Sequence, residues 1–269
     1  MPERPLLVFD FDGVLVDGMV EYWWSARRAA LALAAGGFGA RAAGTVAPSA
    51  DWHLPEQAPP GFALLRPLIH KGWEMVLMAA ELGRPDVDLD AALADYDTFL
   101  GAALRRWGWT TDQLQQALEG LRAEAIAVDP DAWLALHRFY PGVEARLRRL
   151  AAEGADWAVL TTKGGAFAAR LLAAAGLTPL ALYGHEQGSK PSVLAQLLAG
   201  HDPAERPLWF VEDRRPTLEL VRRTPGLEAV RCYLVSWGYL GPGDGEGLAP
   251  LGIHWLEPAS FEAPLALWP

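Results

Sequence analysis

From Pro141 onward, short apolar runs typical of strands alternate with stretches that have the apolar periodicity of helices. Such alternation predicts a mostly parallel sheet, because each parallel strand needs a crossover helix before the chain can reach the next strand. The predicted strands are 6–9 near the N-terminus, followed by 157–162, 179–184, 207–213 and 229–237. The sequence therefore favours an α/β fold built on a doubly wound sheet with helices on both faces.

Residues 19–137 interrupt this alternation and look almost entirely helical. Apolar periodicity predicts helices over 19–35, 61–83, 88–106 and 111–127. The segment 36–61 is rich in Gly, Pro and Ala and lacks periodicity, so we expect a long loop that is mobile and acts as a lid. The expected domains are an α/β core, made of 1–18 and 138–269, and an inserted helical domain over 19–137.

Polar side chains follow the predicted strands, where α/β sheets bind their ligands. In chain order they are Asp10 and Asp12 after the first strand, Thr161 and Thr162 at the end of the second, Lys190 beyond the third, and Glu212 and Asp213 at the end of the fourth. Carboxylates clustered at two adjacent strand ends predict a cation site, and their hard oxygen ligands suit Mg²⁺. A hydroxyl, a lysine and helix N-termini predict an anion site beside it. Phosphoryl transfer requires this pair of sites.

The overall charge and the cysteine count limit which classes of binding partner and which covalent cross-links this protein can have. A formal net charge of −10 argues against broad binding to nucleic acid or to an anionic membrane, both of which need a basic face. It leaves room for a small anionic substrate in a locally positive pocket. Cys232 is the only cysteine, which excludes an internal disulfide and a cysteine metal cluster. We find no signal peptide and no apolar run long enough to span a bilayer, so we expect a cytoplasmic protein.

The order of these residues resembles the four motifs of the haloacid dehalogenase-like (HAD) hydrolase superfamily. The first motif is matched by "DFDGV" (10–14), the second by Thr161 in "VLTTK", the third by Lys190 in "GSKPSVL", and the fourth by "FVEDR" (210–214). "YPGVEARLRRL" and "VSWGY" also resemble segments that flank the motifs in phosphoglycolate-phosphatase-like members. The resemblance implies a Rossmann-like core, with 19–137 as the helical cap of the family.

The resemblance also implies a role for each matched residue. Asp10 would be the nucleophile that forms an aspartyl-phosphate. Asp12 would be the general acid that protonates the leaving oxygen, and then the base that activates water. Thr161 and Lys190 would hold the transferring phosphoryl group, with Thr162 beside them. An acid at position 12 favours phosphate esters, since dehalogenase-type members have a leaving halide that needs no proton and lack this acid.

The fourth motif departs from the family pattern. The resemblance implies that Mg²⁺ is bound by Asp10, Asp213 and the backbone carbonyl of Asp12. A second acid usually follows four or five residues after the first Asp of the motif, where this chain has Thr217 and Leu218. Glu212 stands where the family often has Gly. Either Glu212 replaces the missing acid, directly or as an outer partner of the metal, or the metal site is weakened.

These features predict a magnesium-dependent phosphatase that hydrolyses a small phosphorylated metabolite through an aspartyl-phosphate. A phosphomutase of the same fold would use the same residues, and product analysis separates the two. A non-catalytic scaffold is the third alternative, and the intact motifs argue against it. The neighbouring Asp17 suits hairpin structure or helix capping better than catalysis. Lys163 either assists the phosphate site or is a solvated loop lysine.

Overall fold

The computed structural model describes residues 4–36, 49, 51–200 and 206–269. The chain divides into two compact units. The α/β unit joins the residues up to Asp17 to Arg138–Pro269, and the helical unit is Gly18–His137. This division differs by one residue, Gly18, from the domains expected from the sequence. Within the described residues, no helix combines the length and the apolar character needed to cross a membrane.

The α/β unit is built on a parallel six-stranded sheet. The strands of the chain are β1 (Leu6–Phe9), β2 (Val16–Asp17), β3 (Arg138–Phe139), β4 (Asp156–Leu160), β5 (Ala181–Tyr183), β6 (Leu208–Glu212), β7 (Arg231–Val235) and β8 (Ile253–Leu256). The sheet has the order β5-β4-β1-β6-β7-β8, so the chain winds outward from β1 in both directions. This arrangement confirms the doubly wound α/β fold. Strand β8 lies outside the strands predicted from the sequence, and β2 and β3 pair separately as an antiparallel hairpin.

The α-helices of the described residues belong to both units. In the helical unit they are α1 (Met19–Ala34), α2 (Pro60–Leu65), α3 (Gly72–Leu82), α4 (Leu89–Ala94), α5 (Tyr96–Trp107), α6 (Thr111–Val128) and α7 (Pro130–Leu134). In the α/β unit they are α8 (Val143–Leu150), α9 (Gly165–Ala174), α10 (Lys190–Ala199), α11 (Arg215–Arg223) and α12 (Pro258–Glu262).

Strand β1 is buried on both faces because it lies between β4 and β6. On one face, Val8 belongs to an apolar cluster with Phe210 and Leu218. On the other face, the ring of Phe9 makes edge contacts with Trp157 and Phe261. A strand that must pack on both faces reads as a continuous apolar run, which explains the sequence LLVF. The residues directly after β1 are thereby fixed at the centre of the sheet edge.

Two helices predicted in the helical unit are each broken in two. The predicted helix 61–83 is wrong across Arg66–Leu68, a single 3-10 turn, after which Ile69 is extended. Pro67 lies in this turn and cannot donate the hydrogen bond that would continue a helix. The predicted helix 88–106 breaks at Asp95, whose side chain accepts a hydrogen bond from the Thr98 N–H and caps α5.

The described end of the segment 36–61 is packed. Trp52 donates its indole N–H to the Ala80 carbonyl at 2.8 Å, and Leu54 is buried. The His53 N–H donates to the Gly83 carbonyl at 2.9 Å. Residues 51–59 form no helix or strand before α2 starts at Pro60, in agreement with the predicted loop. These contacts anchor its 52–54 part to neighbouring residues, and its mobility stays a prediction. Residues 37–48 and 50, on which the rest of that prediction falls, lie outside the described residues.

Two helices of the α/β unit start for different local reasons, a side-chain cap in α10 and a left-handed glycine before α8. Ser189 caps α10, since its hydroxyl accepts a hydrogen bond from the Ser192 N–H at 3.3 Å. Pro141 suits the first helical position, but α8 begins only at Val143. Gly142 precedes it with a φ of 80°, and a Cβ at that position would overlap the Glu262 carboxylate. A left-handed residue cannot continue a helix toward its N-terminus, so the helix starts after Gly142.

Candidate active site

The sheet brings the predicted site residues to one edge. Asp10 directly follows β1, Thr161 follows β4, and Glu212 and Asp213 end and follow β6. Strands β4 and β6 flank β1 and run parallel to it, so their carboxyl ends point the same way. Lys190 reaches this edge from the first turn of α10. Each of these residues is buried.

Lys190 forms the charged centre of the site. Its Nζ lies 2.8 Å from Oδ1 of Asp10 and 2.6 Å from Oε2 of Glu212. Burial acts to lower the pKa of Lys190, but the charges of Asp10 and Glu212 outweigh it and raise that pKa above its usual value. Lys190 therefore stays an ammonium ion in a buried position, held by two carboxylates.

The surroundings of Asp10 disfavour its charge. Burial, followed by the negative charge of Glu212, raises the pKa of Asp10 from its ordinary value of 3.8 to about 7, against the opposing effect of Lys190. Burial also raises the pKa of Glu212, again against the effect of Lys190. The single positive charge of Lys190 thus cannot neutralise the negative charges of both Asp10 and Glu212.

Asp213 completes an acidic cluster with Asp10 and Glu212. One carboxylate oxygen from each of the three lies within 4.8 Å of those of the other two. The Oδ2 atom of Asp213 accepts a hydrogen bond from the Tyr239 N–H at 2.8 Å, which fixes the side chain. Together with the charge of Lys190, three buried carboxylates leave an excess of negative charge, which a divalent cation would balance.

The structure shows where the residues that depart from the fourth HAD motif lie. Thr217 lies in the first turn of α11 and Leu218 is buried in the apolar core, so neither position supplies an acid. Glu212 instead lies in the acidic cluster, and its Oε1 accepts a hydrogen bond from the Arg214 N–H at 3.1 Å. Glu212 is therefore a member of the acidic cluster, whereas positions 217 and 218 contribute no acid to it.

The loop after β4 presents a hydroxyl and a second ammonium. The Thr161 hydroxyl oxygen accepts a hydrogen bond from the Lys163 N–H at 3.0 Å, which orients its O–H. Lys163 is buried, and its Nζ lies 3.0 Å from Oδ1 and 3.4 Å from Oδ2 of Asp12. The solvated alternative for Lys163 is therefore wrong. Thr162 is exposed between these two buried residues, so its side chain is not part of the buried cluster.

The β2–β3 hairpin and the turn before it are hydrogen-bonded to the segment that follows β7. The Trp237 indole N–H donates to the Val14 carbonyl at 3.0 Å, and the Tyr239 hydroxyl donates to Asp17 Oδ1 at 2.9 Å. Asp17 lies in β2, one strand of this hairpin. This contact supports the hairpin role predicted for Asp17. The site contacts of Trp237 and Tyr239 were missed from sequence, although both lie in the "VSWGY" segment.

A family comparison agrees with this arrangement of strands and site residues. The model of the haloacid dehalogenase-like hydrolases matches residues 5–214. The chain belongs to the haloacid dehalogenase-like hydrolase family. The match includes all four HAD motifs, from Asp10 to Asp213. A comparison with curated protein sequences found no significant match.

Solved structures share the HAD fold at low sequence identity. A predicted phosphoglycolate phosphatase from Haemophilus somnus has a TM-score of 0.58 and 17% identity, covering 96% of this chain and 95% of that one. A predicted phosphatase from Clostridium acetobutylicum has a TM-score of 0.53 and 13% identity, with coverages of 95% and 94%. A proposed beta-phosphoglucomutase from Thermotoga maritima has a TM-score of 0.53 and 14% identity, with coverages of 96% and 97%. At such identities, the likeness establishes the fold of the HAD chain.

Proposed function

We propose that this HAD-family protein is a magnesium-dependent phosphatase that hydrolyses a small phosphorylated metabolite. The observation that carries the proposal is the buried cluster of Asp10, Glu212 and Asp213, with Lys190 paired to the first two. Buried Thr161 follows the neighbouring strand β4. Carboxylates supply a nucleophile and cation ligands, whereas a lysine and a hydroxyl bind the oxygens of a phosphoryl group. A site with only one of these two sets would not support phosphoryl transfer.

The donor set fits Mg²⁺. Asp213, Asp10 and the backbone carbonyl of Asp12 would hold the ion, and Glu212 would tune the charge around it. All of these donors are oxygen atoms, which Mg²⁺ prefers. The raised pKa of Asp10, about 7, reflects the same excess of negative charge that a cation would relieve. When bound, Mg²⁺ supplies positive charge that favours the ionised form of Asp10 and offsets the charge of the phosphate.

The chain's own residues account for both chemical steps. An oxygen of Asp10 attacks phosphorus and forms the Asp10–phosphate bond, while the electron pair of the breaking ester bond moves to the leaving oxygen. Asp12 gives its proton to that oxygen. Thr161 and Lys190 donate hydrogen bonds to the phosphoryl oxygens and hold them in line. Asp12, now a carboxylate, takes a proton from water, and the resulting hydroxide attacks phosphorus and releases Asp10 and phosphate.

The proposal is tested by a phosphatase screen over a panel of phosphorylated metabolites, with and without Mg²⁺. We expect release of inorganic phosphate that depends on Mg²⁺ and that falls by at least about 10³-fold in Asp10→Asn, because the amide is nearly isosteric but a poor nucleophile. Substantial activity in a folded Asp10→Asn variant would contradict the mechanism.

The products of the same screen separate the alternative functions. Release of phosphate indicates a phosphatase, whereas an isomerised sugar phosphate would indicate a phosphomutase, the activity named for the Thermotoga maritima relative. No Mg²⁺-dependent turnover of any substrate would favour a non-catalytic scaffold. In the proposed enzyme, the helical unit would be the cap that selects the substrate.

A further inference from the structure

Lysine is rare in this chain, and two of its lysines are buried at the sheet edge. The lysines are Lys71, Lys163 and Lys190, against many more arginines. Lys71 is exposed in the helical unit. The side chain of Lys163 is only 4% exposed, which is unusual for an ammonium on a four-carbon stem. A buried ammonium needs a charged or polar partner, because desolvation alone would disfavour it.

Asp12 is a partner that the structure gives to Lys163. Both carboxylate oxygens lie within reach of Nζ, Oδ1 at 3.0 Å and Oδ2 at 3.4 Å. The Asp12 side chain is 13% exposed, so solvent screens this pair little. Asp12 lies in the turn after β1, and Lys163 lies in the loop after β4, so the contact joins two loops that parallel strands bring together.

The backbone of Lys163 is held independently of its side chain. Its N–H donates to Thr161 Oγ1 at 3.0 Å, and its carbonyl accepts a hydrogen bond from the His185 N–H at 3.3 Å. Helix α9 begins two residues later, at Gly165. A substitution of the Lys163 side chain therefore leaves the orientation of the Thr161 hydroxyl in place. The contribution of Nζ to the site can be measured separately.

We infer that Lys163 is a positioning residue that holds the carboxyl group of Asp12 at the place where it exchanges its proton with the leaving oxygen. This inference rests on the proposed function. The shorter contact anchors Oδ1, and we assign Oδ2 as the atom that carries the proton. Without Nζ, the Asp12 carboxyl group would lose this contact, and a displacement of about 1 Å can cost about 10²-fold in rate.

The test is a double-mutant cycle with Lys163→Met and Asp12→Asn, read by single-turnover phosphorylation of the enzyme. Two substrates are compared, an alkyl phosphate with a poor leaving group and an activated aryl phosphate that needs little proton transfer. We expect Lys163→Met to slow the alkyl reaction by about 10- to 100-fold and the aryl reaction much less, with KM nearly unchanged. In the Asp12→Asn background, the additional loss from Lys163→Met should vanish.

Controls separate a positioning role from a structural one. Lys163→Arg keeps the charge and should recover part of the alkyl rate, and it also serves if Lys163→Met does not fold. Lys71→Met, which removes an exposed lysine, should leave both rates unchanged. Thermal unfolding of each variant reports whether the fold survives.

Three results would contradict the positioning role of Lys163, and the last of them would also contradict the proposed function. An undiminished loss from Lys163→Met in the Asp12→Asn background, with a raised KM, would assign Lys163 to phosphate binding and reject the positioning role. An equal loss on both substrates would reject it too. If the wild-type enzyme showed no Asp10-dependent turnover of either ester, the proposed function would fail and the inference with it.

Discussion

The ammonium of Lys190 lies 2.6 Å from Oε2 of Glu212, and both groups are buried. Lys190 also lies 2.8 Å from Asp10, so the buried charge of the ammonium is shared by two carboxylates. A glutamate at position 212 thereby gains a function that a glycine could not have. It holds Lys190 in the site while it adds its own charge to the acidic cluster. The raised pKa of Asp10 follows from burial and from this charge.

The first prediction concerns the pH dependence of stability. The pKa of Asp10 is about 7 in the folded protein, against an ordinary value of 3.8, so between these values the folded state binds the proton more tightly than the unfolded state. Stability should therefore fall as pH rises from about 4 to about 7. Asp10→Asn cannot ionise, so without metal its Tm should exceed that of the wild type at pH 8 and exceed it less at pH 5.

Thermal unfolding in a chelator at several pH values measures this difference. The matched control is Asp51→Asn, which changes an exposed aspartate and should shift Tm little at any of these pH values. A Tm difference between Asp10→Asn and wild type that grows toward pH 5 would contradict the pKa direction given for Asp10.

The second prediction concerns the glycine packed against Asp213. A Cβ at Gly238 would overlap Cβ of Asp213 and lie 2.6 Å from the Gly13 carbonyl oxygen. Gly238→Ala should therefore displace Asp213, reduce stability by about 1–3 kcal/mol and weaken the apparent affinity for Mg²⁺. Urea unfolding and activity against Mg²⁺ concentration measure the two effects.

Gly200→Ala is the matched control for Gly238→Ala. The nearest atoms to a Cβ at Gly200 lie 3.6 Å away, an ordinary contact. Its effect on Mg²⁺ affinity should be absent. An unchanged Mg²⁺ affinity in a stable Gly238→Ala variant would show that Asp213 tolerates the displacement.

The third prediction concerns a buried ion pair in the helical unit. Arg122 donates from Nε and Nη2 to the two oxygens of Glu21, both at 2.7 Å, and Glu21 is fully buried. Glu21→Gln leaves the Arg122 guanidinium without its charged partner, so we expect a loss of about 3–5 kcal/mol in the free energy of unfolding. Chemical denaturation measures it.

Glu144→Gln provides the comparison, because it breaks an exposed pair with Arg148 that has a separation of 3.5 Å. Its cost should stay below about 1 kcal/mol. Similar losses of stability in Glu21→Gln and Glu144→Gln would mean that other groups neutralise the charge of Arg122 when the charge of Glu21 is removed.

The framework of the fold could be predicted because local patterns dictate it. The run LLVF predicts the central strand β1. Polar residues after apolar strands also identify Asp10 and Asp213 as site residues. The breaks at Arg66–Leu68 and Asp95 could not be predicted as readily, because apolar periodicity continues across them while a proline and a side-chain cap interrupt the backbone.

Pairings between distant residues were beyond the sequence for a different reason. Lys163 and Asp12 are separated by 151 positions, and their contact depends on the parallel register of β1 and β4. A lysine in a loop gives no local sign of its partner. The partnership of Lys190 with Glu212 was hidden in the same way, since the sequence relates Glu212 only to its neighbour Asp213. Patterns reveal elements, whereas charge pairing depends on how the elements pack.

The last prediction ranks three substitutions by their effect on Mg²⁺ affinity. Asp213 is fixed by the Tyr239 N–H and belongs to the acidic cluster, so Asp213→Asn removes a ligand and should do the most damage. Both oxygens of Glu212 are already engaged, by Lys190 at 2.6 Å and by the Arg214 N–H at 3.1 Å. Glu212→Gln should therefore weaken Mg²⁺ binding less, by changing the charge around the ion, about 10- to 100-fold. Thr217→Ala should have little effect and serves as the matched control.

Activity against Mg²⁺ concentration at saturating substrate, together with direct titration of each variant with Mg²⁺, gives the order. If Glu212→Gln proved more damaging than Asp213→Asn, Glu212 would be the metal carboxylate and Asp213 its outer partner.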